Sequence, residues 1–191
     1  KKVAQFGYDG VEFAGFGDIP ADVMKETLEK LNLKAFSSHT SLDLLRNSMD
    51  EVIKYNKTIG SKYIVCPYSE ARCYEDFISL AKELNSFGEI CKVHDLAFGY
   101  HNHGFEFEKY NGEYGMDIIL GNTDADLVKL QLDVYWCETM NVDTIQFLEK
   151  YSGRCINIHL KDMDMKDRNK TTIAGTGRID MRGVIKKAHE I

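Results

Sequence analysis

The chain has 191 residues, of which 43% are hydrophobic, so it can bury one sizeable core and a single domain is expected. Its formal net charge of −6 argues against nucleic-acid binding, which requires a basic face, and no apolar run approaches the ~18 residues that a membrane-spanning helix needs. The five cysteines are scattered and include no CxxC pair, which argues against a zinc knuckle or disulfide framework and favours a cytoplasmic protein. The sequence begins without an initiator methionine or an apolar leader, so we expect a cropped chain rather than an exported one.

Six segments have the composition of β-strands, and helical patterns separate them. The strands are predicted at residues 8–14, 34–40, 62–67, 98–107, 127–133 and 155–162. The helices are predicted at residues 1–6, 20–31, 49–59, 77–91, 117–120 and 142–148, with a last helix after Asp180, which could cap it. Gly7 and Gly60 directly follow two of these helices, where the chain needs a left-handed residue.

Strands that alternate with helices at a regular spacing indicate right-handed βαβ units and a parallel sheet. Six units are too many for most small α/β sandwiches and too few for a closed eight-stranded barrel of about 250 residues. We therefore predict one incomplete domain, residues 1–191, with the (β/α)8 TIM-barrel fold lacking its first and last strands. The competing open, doubly wound sheet needs a glycine-rich phosphate loop. The segment Gly15-Phe-Gly17 does not supply that loop, because Pro20 stands where the third glycine of GxGxxG belongs.

The segment Gly99-Tyr-His-Asn-His-Gly-Phe-Glu-Phe107 has the most informative polar pattern of the chain. In a β-strand side chains alternate, so His101 and His103 would share one face and Asn102 would turn to the other. The two histidine Cα atoms would then lie about 6 to 7 Å apart, close enough to serve one metal ion or one polar substrate. A polar strand end with two incidental histidines is the alternative. Glu106 is expected where this strand ends.

Polar residues also fall where the other predicted strands end. The full set is Glu12, His39, His101, His103, Glu106, Asp133, His159 and Lys161. The carboxyl ends of the strands form the active face of a parallel barrel, so these side chains are expected to converge. Chance is the alternative, since strand ends are polar in general, but four of the six histidines belong to the set. Imidazole and carboxylate ligands suit Mn²⁺, Co²⁺, Zn²⁺ or Mg²⁺, and the predicted metal ligands are His101, Asp133 and His159.

Six motifs occur in order along the whole chain. They are Tyr8-Asp-Gly-Val-Glu-Phe-Ala, Ser38-His-Thr, Gly99-Tyr-His-Asn-His-Gly-Phe-Glu-Phe, Leu132-Asp-Val-Tyr-Trp, His159-Leu-Lys-Asp-Met and Gly175-Thr-Gly-Arg-Ile-Asp. Together they resemble the xylose isomerase-like TIM barrel proteins, usually called sugar phosphate isomerases/epimerases. The resemblance implies a divalent metal held by a Glu, an Asp, a His and a second Glu on four successive strands. Asp133 matches the family Asp, and His159 matches the family His. His101 stands at the position of the first Glu, or Glu106 takes over the role of that Glu. The last Glu would lie beyond Ile191.

The missing first Glu argues against an epimerase with two opposed glutamates and favours the HNH-containing branch, similar to proteins that act on keto-inositols or 3-keto-glycosides. The apurinic endonucleases share the barrel and the histidine corresponding to His39. They need a further histidine where this chain has Cys66-Pro-Tyr, and the acidic charge also argues against DNA. The expected activity is therefore a divalent-metal-dependent isomerase or epimerase acting on a small sugar or keto-sugar through an enediolate. A keto-sugar or keto-inositol lyase or hydratase is the alternative, because both chemistries begin with proton abstraction beside a carbonyl.

The remaining polar residues receive roles within that expectation. We expect proton transfer and oxyanion stabilisation from Glu106, His103 and Lys161. We expect contacts with the substrate from Glu12, His39 and Trp136. Two possibilities of a different class stay open, a sugar-binding protein without catalysis and a barrel fragment that forms a homo-oligomer to cover its exposed sheet edges. The segment Gly175-Thr-Gly177 favours a turn over a phosphate cradle.

Overall fold

The computed structural model describes all 191 residues and contains one six-stranded parallel sheet with helices packed against it. The strands lie side by side in chain order: β1 (Gly10–Phe13), β2 (Lys34–His39), β3 (Tyr63–Cys66), β4 (Ala97–His101), β7 (Val128–Asp133) and β8 (Cys155–His159). Every neighbouring pair is parallel. A sequential parallel order is the product of successive right-handed βαβ units, and the regular alternation of strands and helices predicted it.

Helices and two short ribbons complete the fold. The helices are α1 (Lys2–Gln5), α2 (Ala21–Lys30), α3 (Leu42–Asn47), α4 (Met49–Ile59), α5 (Tyr74–Val93), α6 (Gly115–Gly121), α7 (Val134–Thr139), α8 (Thr144–Lys150) and α9 (Met181–Glu190). The antiparallel ribbons pair β5 (Lys109–Tyr110) with β6 (Glu113–Tyr114) and β9 (Asp162–Met163) with β10 (Thr171–Thr172). None of the helices combines the length and the apolar composition needed to cross a lipid bilayer.

The sheet is curled enough to bring its two edge strands within side-chain reach of each other. Neighbouring strands lie about 4.8 Å apart, so β1 and β8 would be about 24 Å apart in a flat sheet. Instead, a carboxylate oxygen of Glu12 on β1 lies 2.7 Å from Nε2 of His159 on β8. The structure is therefore six strands of a barrel that is open between β8 and β1, which confirms the predicted incomplete (β/α)8 fold.

The long helix α5 forms the centre of the core beneath β4 and β7. Its buried side chains recur at helical spacing, from Phe77 to Cys91, and most of them belong to a cluster of 31 buried residues. The helix begins where the carboxylate of Asp76 accepts the backbone N–H of Cys73 at 3.2 Å, which satisfies a donor left free by the first turn. Gly88 permits the close approach to the sheet, because a Cβ there would lie 2.5 Å from the carbonyl oxygen of Leu127.

One local prediction near the barrel mouth is wrong, and one helix there was not predicted. The strand predicted at 98–107 ends at His101, and Phe105–Phe107 forms a 3-10 turn. The Asn102 side chain pairs with the backbone of Asp133, which offers the chain an alternative to continued strand pairing. Helix α7 begins directly after β7 and was not predicted, although Asp133 caps it by accepting the N–H of Tyr135 at 2.9 Å.

Candidate active site

Three histidines from three different strands meet at the carboxyl end of the barrel. His39 ends β2, His101 ends β4 and His159 ends β8. Each offers a ring nitrogen within 4.8 Å of those of the other two, and their ring centroids are 4.7 to 5.6 Å apart. Three imidazoles at this spacing could share one divalent ion. The predicted convergence of strand ends therefore includes His39, for which substrate contact was the expected role.

His101 has the environment of a metal ligand. Its side chain is buried, and its Nδ1 atom has no hydrogen-bond partner. Burial, together with the nearby His159, His39 and His103, lowers the pKa of His101 to about 3, so the imidazole is neutral at ordinary pH. A buried polar atom without a partner is costly, and a neutral imidazole has a lone pair to donate. These residues therefore fit a divalent ion.

Glu12 lies in the barrel interior, where one of its carboxylate oxygens faces two of the three histidines. Its Oε1 atom is 2.7 Å from Nε2 of His159 and 3.3 Å from Nε2 of His39. Its Oε2 atom accepts the Gln131 amide at 2.6 Å and the Ser37 hydroxyl. Burial by itself would raise the pKa of Glu12, but the hydrogen bonds from His159 and Ser37 and the charge of His39 lower it to about 2. Glu12 is consequently an anion at all ordinary pH values.

The interior residues that hold Glu12 were missed at the sequence level. They are Ser37, Gln131 and Asn157. In the strand register, Glu12 of β1 lies opposite Ser37 of β2, and Gln131 of β7 lies opposite Asn157 of β8. Each of these positions directly follows a register shift between the two strands. Such bulges change which side chains face the interior, so a simple alternation cannot assign them. A polar residue between apolar neighbours in a strand, as at Gln131 and Asn157, is a signal that could have found them.

Asp133, predicted as a metal ligand, is buried at the edge of the histidine cluster. Its Oδ2 atom is 3.9 Å from Nδ1 of His159, and its Oδ1 atom accepts the N–H of Tyr135. Burial raises the pKa of this carboxyl above its ordinary value. Asn102, fully buried, accepts the Asp133 N–H at 2.9 Å and donates to the Asp133 carbonyl at 3.3 Å. This pair of hydrogen bonds joins the ends of β4 and β7 and orients the Asp133 backbone.

His103, Trp136 and Lys161 form a second group beside the histidine cluster. The His103 ring centroid is 5.1 Å from that of His101 and 5.4 Å from the Trp136 ring. The Lys161 ammonium lies 4.8 Å from the Trp136 ring centroid and 4.4 Å from that of Tyr135. Burial, followed by the charge of Lys161, lowers the pKa of His103. A neutral imidazole and an ammonium group thus lie next to an apolar indole face.

Glu106 lies behind the His103 segment and outside the cluster of three histidines. It is completely buried, and its carboxylate accepts the Tyr100 hydroxyl at 2.8 Å and the His103 backbone N–H at 2.7 Å. Burial raises the pKa of Glu106 to about 7. The Tyr100 side chain is fully buried in the core and also bonds Ser69 at 2.9 Å. Glu106 therefore contacts the backbone of the His103 segment, and its hydrogen bonds include none of the three clustered histidines.

The backbone amides of Gly175 and Gly177 donate to a carboxylate of the protein itself. The Oδ2 atom of Asp162 accepts the N–H of Gly175 at 2.9 Å and that of Gly177 at 2.8 Å. Its Oδ1 atom accepts the N–H groups of Met163 and Ile179. This segment is consequently a turn anchored on Asp162.

Comparison with known proteins agrees with the geometry. A family model described as xylose isomerase-like TIM barrel matches residues 1–191. The chain belongs to the xylose isomerase-like TIM barrel family. An inosose dehydratase of Mesomycoplasma hyopneumoniae is 26% identical to this chain over an alignment 204 positions long. The alignment covers 91% of this chain and 66% of that protein. This chain thus spans about two thirds of the length of that curated relative.

Two solved structures superpose on nearly the whole chain. A sugar phosphate isomerase/epimerase from Parabacteroides distasonis has 27% identity and a TM-score of 0.82, with 99% of this chain and 74% of that chain covered. The IolI protein with a binding zinc atom has 16% identity and a TM-score of 0.78, with 99% of this chain and 77% of that chain covered. At this low identity the second likeness shows the fold alone.

Proposed function

We propose that the protein is a divalent-metal-dependent enzyme that removes a proton beside the carbonyl group of a sugar, keto-sugar or keto-inositol and proceeds through an enediolate. The observation that carries the proposal is the convergence of His39, His101 and His159 at the barrel mouth. One of these imidazoles is buried, neutral and without a partner at Nδ1, as a metal ligand would be before binding. The histidine at position 101 also supports assignment to the HNH-containing branch of the family.

The residues proposed to hold the ion are His39, His101 and His159. Asp133 lies beside them, with Oδ2 3.9 Å from Nδ1 of His159. When bound, the ion would supply positive charge next to the substrate carbonyl oxygen. Imidazole-rich sites suit zinc and related transition metals, whereas Mg²⁺ prefers oxygen ligands. Among Mn²⁺, Co²⁺, Zn²⁺ and Mg²⁺, we therefore expect Zn²⁺ or Co²⁺ to bind most tightly.

His103 is the proposed proton-transfer group. It is half-buried and adjoins both the histidine cluster and the Trp136 ring. Its lowered pKa leaves a neutral imidazole able to accept a proton from the substrate carbon. The Lys161 ammonium is proposed to stabilise the negative charge that develops on the substrate oxygen, and the Trp136 face to pack against the sugar ring. Glu106 is proposed to position His103 through its backbone N–H.

Two outcomes of the common first step are proposed. In an isomerase or epimerase, the proton returns to a carbon of the enediolate and all substrate atoms are retained. In a dehydratase, the enediolate re-forms the carbonyl, a carbon–carbon double bond forms, and the hydroxyl on the next carbon leaves as water with the proton that His103 took up. The name of the curated relative, inosose dehydratase, favours the second outcome for a keto-inositol.

Proton NMR of the zinc- or cobalt-loaded protein in D₂O tests the proposal. Incubation with a keto-inositol and a panel of keto-sugars should give deuterium beside the carbonyl with all atoms retained, or an unsaturated product. His103→Gln removes the proton acceptor, and Lys161→Met removes the cation. Each variant should therefore lower the rate by about 10²- to 10⁴-fold. His94→Ala, at the end of α5, is the matched histidine control and should leave the rate unchanged. Sugar binding without exchange or product would contradict the enzymatic proposal.

A further inference from the structure

We propose that Glu12 is the fourth ligand of the metal ion, so that β1 supplies a carboxylate to a site otherwise made of three imidazoles. The inference rests on the proposed metal-dependent function and concerns a residue for which only substrate contact was expected. It assigns the ion a ligand set of three nitrogens and one oxygen, drawn from β1, β2, β4 and β8.

The distances between the candidate ligand atoms support a shared ion. Ligand atoms bound at about 2.0 to 2.2 Å to one tetrahedral or octahedral ion lie about 2.8 to 3.6 Å from one another. The Glu12 Oε1 atom is 3.3 Å from Nε2 of His39 and 2.7 Å from Nε2 of His159. The distance from the carboxylate oxygen to His39 thus lies within the range of neighbouring ligands, and the distance to His159 lies just below that range. The third ring, that of His101, has its centroid 5.1 Å from that of His39 and 4.7 Å from that of His159.

The surroundings of Glu12 leave one oxygen directed at the histidines. The other oxygen accepts the Gln131 amide at 2.6 Å, the Ser37 hydroxyl and the Asn157 amide at 3.4 Å. Hydrogen bonds of this kind orient a ligating carboxylate and fix which oxygen faces the ion. The Gln131 amide also contacts His39, because its oxygen accepts the Nε2–H of that ring at 2.6 Å, a hydrogen bond that His39 would give up if this nitrogen bound the ion.

Charge favours the same assignment. Three neutral imidazoles leave the full double charge of a divalent ion uncompensated in a partly buried site, and one carboxylate halves it. Glu12 is the carboxylate that approaches two of the three imidazoles, whereas the nearest Asp133 oxygen is 3.9 Å from His159. The alternative role for Glu12 is indirect, in which it accepts the Nε2–H of His159 while Nδ1 of that ring faces the ion.

A cobalt-loaded crystal structure of the full chain, collected at the cobalt absorption edge, separates the two roles. We expect one cobalt ion with a Glu12 oxygen at about 2.0 to 2.2 Å and three imidazole nitrogens at similar distances. A cobalt ion on the histidines with both Glu12 oxygens hydrogen-bonded to ring N–H groups would overturn the inference and leave the proposed function standing. Absence of bound cobalt in the crystal and at equilibrium would overturn both.

Metal affinity of variants provides the second measurement, by competition with a chromophoric chelator. Glu12→Gln keeps the shape of the side chain and removes its charge, and it should weaken Co²⁺ binding by more than the ~10- to 100-fold typical of an outer-shell partner. Ser37→Ala keeps the carboxylate, removes one of its hydrogen bonds and should weaken binding by less than about tenfold. Equal losses in the two variants would count against direct ligation.

Discussion

The contribution of Glu106 to the stability of the fold should fall as the pH rises past the ordinary pKa of this residue, and Glu106→Gln should remove that contribution. Glu106 is completely buried, and burial raises its pKa from 4.5 to about 7 although the carboxylate accepts hydrogen bonds from Tyr100 and His103. A glutamine should fit the same space. It can accept the His103 N–H and donate to the Tyr100 oxygen, whose hydroxyl can turn to Ser69.

The sign and size of the effect follow from proton linkage. Below pH 4.5 the carboxyl is protonated in both the folded and the unfolded chain and costs nothing. Between pH 4.5 and 7 the unfolded chain loses the proton that the folded chain retains, so the folded state becomes progressively less favoured. The difference between the two pKa values, 7 minus 4.5, corresponds to about 3 kcal/mol in the free energy of unfolding above pH 7.

Urea unfolding at pH 4.5 to 8.5 measures this effect, with fluorescence of Trp136, the only tryptophan, as the probe. The difference in unfolding free energy between Glu106→Gln and the parent should shift by about 3 kcal/mol in favour of the variant from pH 4.5 to pH 8. Glu108→Gln, at an exposed neighbouring position, is the control for a general effect of charge removal. Parallel stability curves for parent and Glu106→Gln over this range would refute the buried, proton-retaining state of Glu106.

Two further predictions concern backbone packing and the loop beyond the barrel mouth. Gly88→Ala should destabilise the fold by about 1 to 3 kcal/mol in thermal or urea unfolding, because the added Cβ meets the Leu127 carbonyl, whereas Gly121→Ala meets nothing within 4 Å and should be neutral or stabilising. Asp162→Asn should cost about 1 to 3 kcal/mol and expose residues 164–180 to limited proteolysis, since an amide nitrogen cannot accept the backbone N–H groups that this carboxylate binds. Stable α5 packing in Gly88→Ala, or an unchanged cleavage pattern in Asp162→Asn, would contradict these accounts.

The sequence by itself determined the architecture, because the evidence for it is local. Regular alternation of strand and helix patterns predicted a parallel barrel, and Gly60 ends α4 in the left-handed conformation expected of it. The rule that active residues lie at the carboxyl ends of barrel strands predicted that His39, His101 and His159 would converge, and they do. Each of these inferences depends on the periodicity of one strand or helix, or on one topological rule. None of them requires knowledge of side-chain packing.

Only the tertiary structure decided which polar residues share the site. The curl of the sheet brings Glu12 to His159 across the open side of the barrel, and register shifts turn Gln131 toward both Glu12 and His39. The chain after His101 leaves the strand, so Glu106 is buried behind the His103 segment instead of alternating into the site. Curvature, bulges and strand termination arise from contacts between residues distant in sequence, and for that reason the local pattern of the chain does not determine them.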